Sequence, residues 1–170
     1  MLAIDEGDVT LWFYRNFRAK QQRILISGHW KTMGFSLPAA LAAKLCVPDK
    51  QFVAIIGDGG FNMVIGDLLT AIQHQIKITL IVLNNKTLQM EKDKMKKSGY
   101  NQIGVDLRNP DYVLLARACG WEAYQIDNHV ELEETLQKAF TGNQLALVDI
   151  NTAHITYPDF QNKETMTGEY

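Results

Sequence analysis

Short apolar runs alternate along this chain with stretches of helical spacing. Phe52-Val53-Ala54-Ile55-Ile56 and Ile78-Thr79-Leu80-Ile81-Val82-Leu83 are short, continuous and β-branched, as expected of strands buried on both faces of a parallel sheet. Between them, Met63, Leu68, Leu69 and Ile72 are spaced for the apolar side of a helix. Residues 2–4, 23–27, 123–126 and 145–150 read as further strands, and residues 10–17, 37–45, 88–97, 112–119 and 131–140 as helices. Residues 28–34 form a loop, and 98–110 a second one, longer than most connections of its kind and so functional or mobile in expectation. The alternation predicts an α/β fold: a three-layer, doubly wound parallel sheet with helices on both faces. The tail after His154 is polar and is expected to dock or to stay loose.

Two polar segments stand at the carboxyl ends of the two strongest strands: Gly57-Asp58-Gly59-Gly60-Phe61 and Asn84-Asn85. Ligands of open α/β sheets bind along that edge. Glycines there let the backbone turn tightly and approach a ligand. The following helix directs free N–H groups at the same spot, which suits a phosphate. Asp58 opposes a phosphate unless a cation lies between, and an oxygen-ligated Mg²⁺ resolves the conflict. Asn85, one strand over, offers that ion an amide oxygen. Neither Gly-x-Gly-x-x-Gly at the first helix nor Gly-x-x-x-x-Gly-Lys-Ser/Thr anywhere is present, which removes the commoner nucleotide-binding readings.

Composition narrows the class. With 170 residues, 46% of them hydrophobic, the chain can bury one good core, so one domain over 1–170 is expected. A net charge of −2 and the lack of a basic stripe argue against nucleic acid. Lys92, Lys94, Lys96 and Lys97 are diluted by Glu91 and Asp93 and read as a solvated helix face. Cys46 and Cys119 sit in apolar helical patterns and read as core residues rather than a disulfide or metal pair. The four histidines are scattered, so zinc is not expected. No run reaches membrane-spanning length and no signal peptide opens the chain, which implies a cytoplasmic setting without a transmembrane segment.

Gly-Asp-Gly followed, roughly two dozen residues on, by Asn-Asn resembles the diphosphate-binding motif of thiamin-diphosphate enzymes. The resemblance covers nearly the whole chain and implies the thiamin-diphosphate-binding fold. Gly57 to Met63 with Gly66-Asp67, and Leu107 to Trp121, look most like pyruvate oxidases and pyruvate:quinone dehydrogenases, in the group that includes acetolactate synthase. Carried over position by position, Asp58, Asn85 and the backbone carbonyl of Thr87 would hold Mg²⁺, with Leu88 next to them at the cofactor. Gly57 begins the motif, and Gly59, Gly60 and Phe61 would turn backbone N–H groups to the diphosphate. Gly7 and Asp8 would border it from the other side. In Lys31-Thr32-Met33-Gly34, Met33 would wedge under the cofactor and hold its two rings in a V, while the backbone of Lys31 and Met33 would bond the aminopyrimidine. An ordinary core methionine is the alternative.

The resemblance implies carbanion chemistry on a 2-keto acid such as pyruvate, with FAD receiving electrons in the oxidase branch. It also implies an activating glutamate on a pyrimidine-binding domain, usually of a neighbouring subunit, within a homo-oligomer (a dimer or tetramer). His29, His74, His129 and His154 are followed by Trp, Gln, Val and Ile, so the common His-Glu setting is missing. The chain reads as the C-terminal domain of a longer enzyme, inactive alone, without the pyrimidine- and FAD-binding domains. Lys86 to Glu91 carries no aromatic of the oxidase kind. Glu91 stands where decarboxylases of the group carry an acid facing the substrate, against the reading of a solvent-facing helix residue. Acetolactate synthesis or another 2-keto acid reaction, and a non-catalytic binding module, are the alternatives to pyruvate oxidation.

Overall fold

Residues 1–160 are described in the computed structural model. Six strands form one sheet: β1 (Leu2–Ile4), β2 (Ile24–Ile26), β3 (Val53–Gly57), β4 (Thr79–Asn84), β5 (Glu122–Ile126) and β6 (Ala146–Asn151). Every neighbouring pair is parallel and the order is β2-β1-β3-β4-β6-β5. Seven α-helices fill the connections: α1 (Asp8–Asn16), α2 (Ser36–Cys46), α3 (Asp58–Val64), α4 (Asp67–Gln73), α5 (Gln89–Lys97), α6 (Tyr112–Ala118) and α7 (Leu132–Thr141). The α/β, three-layer, doubly wound architecture is thus the one expected.

Period-two alternation divides the strand side chains between two cores. Ala3, Ala54, Ile56, Leu80, Val82 and Leu147 face the larger one, with Leu37 and Leu41 of α2, Phe61 of α3, Leu68 of α4 and Tyr112 of α6. Ala146 and Val148, out of phase with Leu147, face the smaller one, with Leu132, Leu136 and Ala139 of α7. The central strands β3 and β4 have covered faces, which is why their sequences show no polar alternation. The chain leaves β1 toward one edge of the sheet, to β2, and leaves β3 in the opposite direction, to β4. The carboxyl ends of β1 and β3 therefore splay their loops apart, and a crevice opens between them.

Several expectations shift. Helix α1 begins at Asp8, two residues early, directly after Gly7 at a φ of 114°. The helix expected through Met63, Leu68, Leu69 and Ile72 is two helices, α3 and α4, interrupted at Ile65-Gly66. Leu68 of α4 is buried, while Met63 of α3 and Leu69, the next residue round α4, are 61% and 59% exposed. Helix α3 has only seven residues, so a macrodipole contributes less at its start than expected, and local N–H groups carry that role. Cys46 is exposed at the last residue of α2 and is no core residue; Cys119 is half-buried, and both are free thiols.

The segment after β6 docks. Tyr157 packs edge-on against Trp12 of α1, with centroids 5.2 Å apart, and Thr156 Oγ1 donates to Asp93 Oδ1 of α5 at 3.0 Å. The part of the polar tail over 161–170 lies outside the described residues. No helix among the described residues is long and apolar enough to cross a membrane.

Candidate functional site

The crevice between the β1 and β3 ends is a cleft of about 270 Å³. Glu6, Gly7 and Asp8 line it from β1, Gly57 to Gly60 from β3, and Asn85, Thr87, Leu88 and Gln89 from the segment after β4. Met33, Trp12 and Ile155 supply apolar walls. The structure therefore gathers Gly7, Asp8, Met33, Gly57, Asp58, Gly59, Gly60, Asn85, Thr87 and Leu88 around one space. Four other expected positions do not line it. Lys31 and Thr32 are exposed. Phe61 is fully buried, its ring edge-on to Tyr112 at 5.0 Å. Glu91 points away and is paired with Lys94 at 2.8 Å, about half exposed.

Each part of the floor has a local cause. Asp5, the residue after β1, is fully buried, and its two carboxylate oxygens accept the backbone N–H groups of Gly34 and Ser36, both at 2.9 Å. That ties the Met33 loop and the start of α2 to the end of β1. Burial pushes the Asp5 carboxyl up, and the amide bonds pull it back. Gly60 lies against this carboxylate: a Cβ there would collide with it and stand 3.2 Å from both Gly34 N and Ile56. A Cβ on Gly59 would reach Leu88 at 2.5 Å and Met33 at 3.3 Å. Space rather than φ calls for glycine at Gly60, hemmed in by the tied-down Asp5 carboxylate and the Gly34 backbone, whereas at Gly59 the Leu88 and Met33 side-chain ends would have to shift.

The second half of the floor is the turn after β4. Asn85 Oδ1 accepts from Thr87 N at 3.1 Å, closing an Asx turn over Lys86, whose φ is 57°. The long loop expected over 98–110 pairs with this turn. Leu88 N donates to Val105 O and Leu107 N to Lys86 O, both at 2.8 Å, around an antiparallel bridge of Thr87 with Asp106. Thr87 Oγ1 adds a bond to Val105 O at 2.9 Å.

Asp58 is 2% exposed. Burial raises its carboxyl above the ordinary range; a bond from Asn109 and the backbone N–H groups of Gly59 and Lys86 draw it back. Asn109 Nδ2 donates to Asp58 Oδ2 at 2.6 Å and to Asn84 Oδ1 at 3.0 Å. A desolvated carboxylate, an amide oxygen and a backbone carbonyl at one cleft form an all-oxygen donor set, the kind a hard divalent cation takes. Burial that disfavours the Asp58 charge is what a cation would offset. Among the described residues no three His, Cys, Asp or Glu side chains come together for a metal, so a cation here would need the amide and the carbonyl. The glycine floor leaves backbone exposed to an anion bridged by that cation. The residues present fit such a group.

Among the described residues three acceptors on the α1–α5 side have no donor: Asp8 Oδ1, Gln89 Oε1 and Asp93 Oδ2. The Asp8 carboxyl is pushed up to about 6, by burial first and by the Asp93 charge second. Sequence reading missed Asp5, Asn62, Asn84, Asn109 and Tyr112. Asn84 stands in the Asn pair, and Asn62, Asn109 and Tyr112 lie in the family-like stretches Gly57 to Met63 and Leu107 to Trp121, but the resemblance assigns none of them a role.

The family model described as the thiamine pyrophosphate enzyme, C-terminal TPP binding domain, matches residues 5–150. A putative thiamine pyrophosphate-containing protein YdaP of Bacillus subtilis (strain 168) is 36% identical over 151 residues, 88% of this chain and 26% of that protein. The acetolactate synthase isozyme 3 large subunit of Escherichia coli (strain K12) is 38% identical over 136 residues, 77% of this chain and 24% of that one. The acetolactate synthase large subunit of Haemophilus influenzae is 40% identical over 129 residues, 74% of this chain and 22% of its own. The chain spans about a quarter of the length of these relatives. With a cleft at the sheet's switch point, a Gly-Asp-Gly-Gly floor and an Asn turn beside it, the chain belongs to the thiamine pyrophosphate (thiamin diphosphate) enzymes, in their C-terminal TPP-binding domain.

Proposed function

We propose that this chain is the diphosphate-binding part of a thiamin-diphosphate-dependent carboligase of the acetolactate synthase kind, acting on 2-keto acids. The observation that carries the reading is the convergence of Asp58, Gly59, Gly60, Asn85 and Thr87 on one cleft. The acetolactate synthases among the relatives favour a carboligase over the pyruvate oxidase that the sequence motifs resemble. Neither FAD nor an oxidoreductase activity is named for those relatives, so neither forms part of this reading.

In this reading Asp58, the Asn85 side-chain oxygen and the Thr87 carbonyl hold Mg²⁺, which neutralises the diphosphate. Backbone N–H groups of Gly59, Gly60 and Phe61 face the diphosphate, and Gly7 and Asp8 bound it from β1. When bound, the cofactor supplies an electron sink for a carbanion. Met33 supports the cofactor from below, and Trp12, Leu88 and Ile155 keep water from the cleft. Near pH 6 Asp8 retains part of its proton and so adds less negative charge beside the diphosphate. Glu91, out of the cleft and paired with Lys94, is a solvent-side helix residue in this reading. The activating glutamate and the subunit contacts belong to parts of the whole protein outside these 170 residues.

Calorimetric titration of thiamin diphosphate with and without Mg²⁺, on the wild type and on Asp58→Ala, tests the site. Heat that requires both Mg²⁺ and Asp58 is expected. Binding that survives Asp58→Ala unchanged would sink the assignment.

A further inference from the structure

Asp58 is one end of a hydrogen-bond chain that runs through four elements. Tyr112 OH of α6 donates to Asn62 Oδ1 of α3 at 2.7 Å. Asn62 Nδ2 donates to Asn109 Oδ1, at the end of the long loop, at 2.9 Å. Asn109 Nδ2 donates to Asp58 Oδ2 at 2.6 Å and to Asn84 Oδ1 at 3.0 Å. Asn84 Nδ2 reaches Asp149 Oδ2 at 3.4 Å. Every link points its donor the same way, from a phenol toward carboxylates.

That direction is over-determined. An ionised carboxylate only accepts, so Asn109 must turn its nitrogen to Asp58. Its oxygen then faces Asn62, whose nitrogen must donate, and whose oxygen must take the Tyr112 proton. Flipping Asn109 or Asn84 sets oxygen against oxygen on one side and N–H against N–H on the other; flipping Asn62 sets its oxygen against Asn109 Oδ1, although the Tyr112 hydroxyl, which also lies 3.4 Å from Asp58 O, could accept from it. Tyr112 is fully buried, so its hydroxyl has a fixed place from which to start the chain. Amides polarised in series strengthen one another, and the last bond, to the charged group, is the shortest N–H···O contact of the set.

Building on the proposed cation site, we propose that Asn109 is a positioning residue for the Asp58 ligand, held in turn by Asn62 and Tyr112. Asn109 holds Oδ2 and, with the backbone N–H groups of Gly59 and Lys86, restrains the carboxylate so that it meets the cation in one orientation. Its place depends on the long loop, which is laddered to the Asn85–Leu88 turn through Val105 and Leu107. One loop thus sets both halves of the cation's donor set: the carboxylate through Asn109, the Asn85–Thr87 turn through its backbone. Partners that orient a metal ligand in this way change metal affinity by roughly 10- to 100-fold when removed.

The test is Mn²⁺ binding to the full chain in the presence of thiamin diphosphate, followed by electron paramagnetic resonance, on the wild type, Asn109→Leu, Asn62→Ala and Tyr112→Phe. Asn109→Leu keeps the side-chain bulk and removes the donors. The expected result is Mn²⁺ affinity roughly 10- to 100-fold weaker in Asn109→Leu, smaller losses in Asn62→Ala and least in Tyr112→Phe. The spectrum of the bound ion at saturating Mn²⁺ should broaden in the same order. Affinity and line shape unchanged in both Asn109→Leu and Asn62→Ala overturn the proposal. Weaker affinity with an unchanged spectrum, tracking lost thermal stability, also overturns it, since a merely structural role predicts that outcome. If the wild type binds no Mn²⁺ with the cofactor, the cation site itself fails; a wild type that binds beside unaffected variants fails the positioning role alone.

Discussion

Buried carboxylates dominate the chain at the scale of single residues. Asp5 is the clearest structural one, because both of its oxygens accept from buried backbone N–H groups. Asp5→Ala leaves the Gly34 and Ser36 amides buried and unpaired, so about 2–4 kcal/mol of stability should be lost, measured by urea denaturation. Gly60→Ala acts on the same spot from the other side. Its methyl would enter the Asp5 carboxylate, and about 1–3 kcal/mol should go as the floor shifts, together with cofactor binding in the titration above. Asp149 behaves differently. Burial pushes its carboxyl up to about 6, with the Asp58 charge adding to the effect, and Asp149 Oδ1 has no donor among the described residues. A folded-state value above the unfolded one means that the native chain holds a proton the unfolded chain has released. Stability from this group is therefore full below the unfolded value of 3.8 and is lost as pH rises through about 6. Asp8 acts in the same direction over the same window. Urea midpoints measured from pH 4 to 7 should decline across that range, and the decline should be shallower in Asp149→Asn.

The connection over 98–110 is the element that matters most. Its own sequence offers no periodic pattern, yet Val105 is 2% exposed and three bonds tie it and Leu107 to residues 86–88. The loop is a short antiparallel patch at the cleft wall rather than a loose flap. Amide hydrogen exchange should be slow at Leu88 and Leu107, whose N–H groups are bonded, and fast at exposed Ile103 and Gly104. Leu107→Pro removes the donor to Lys86 O and should speed exchange at Leu88 while weakening Mg²⁺-dependent cofactor binding. Equal exchange across 103–107 in the wild type would show that the patch does not hold. The split of α3 from α4 illustrates the same dependence on context. Apolar spacing alone joined Met63 to Leu69 in one face, but they lie on separate helices and both are exposed.

Across the whole molecule, the strand order decides where chemistry can occur. Chain reversal at β1 and β3 opens the crevice, and the segment over 152–157 crosses back to it, with Thr152, Ala153 and Ile155 lining the cleft. Trp30, Met63, Leu69 and Leu114 are between 59% and 90% exposed. Because the proposed activating glutamate lies outside these residues, the purified chain should bind cofactor yet show no turnover of pyruvate. Measurable decarboxylation by the chain alone would contradict that division of labour.

How much of this was legible in the sequence follows from the range of the forces involved. Period-two and helical patterns, the continuous runs of β3 and β4, and the polar residues at their ends are local, and one amino-acid sequence determines them directly. They were enough to place Asp58 and Asn85 on adjacent strand ends; the cofactor class followed from the resemblance of that motif to the thiamin-diphosphate enzymes. Helix ends were legible to within a residue or two, since caps and glycines act locally. The removal of Lys31, Thr32 and Glu91 from the cleft, the outward turn of Met63 and Leu69, and the exposure of Cys46 were decided only by packing. So were the partners of Asp5 and Asp58. Asn109 stands 51 positions from Asp58, and Gly34 stands 29 from Asp5. No propensity encodes which of many asparagines or amides a loop will carry to a buried carboxylate. That choice is made when the sheet sets its register and the buried charges must find donors.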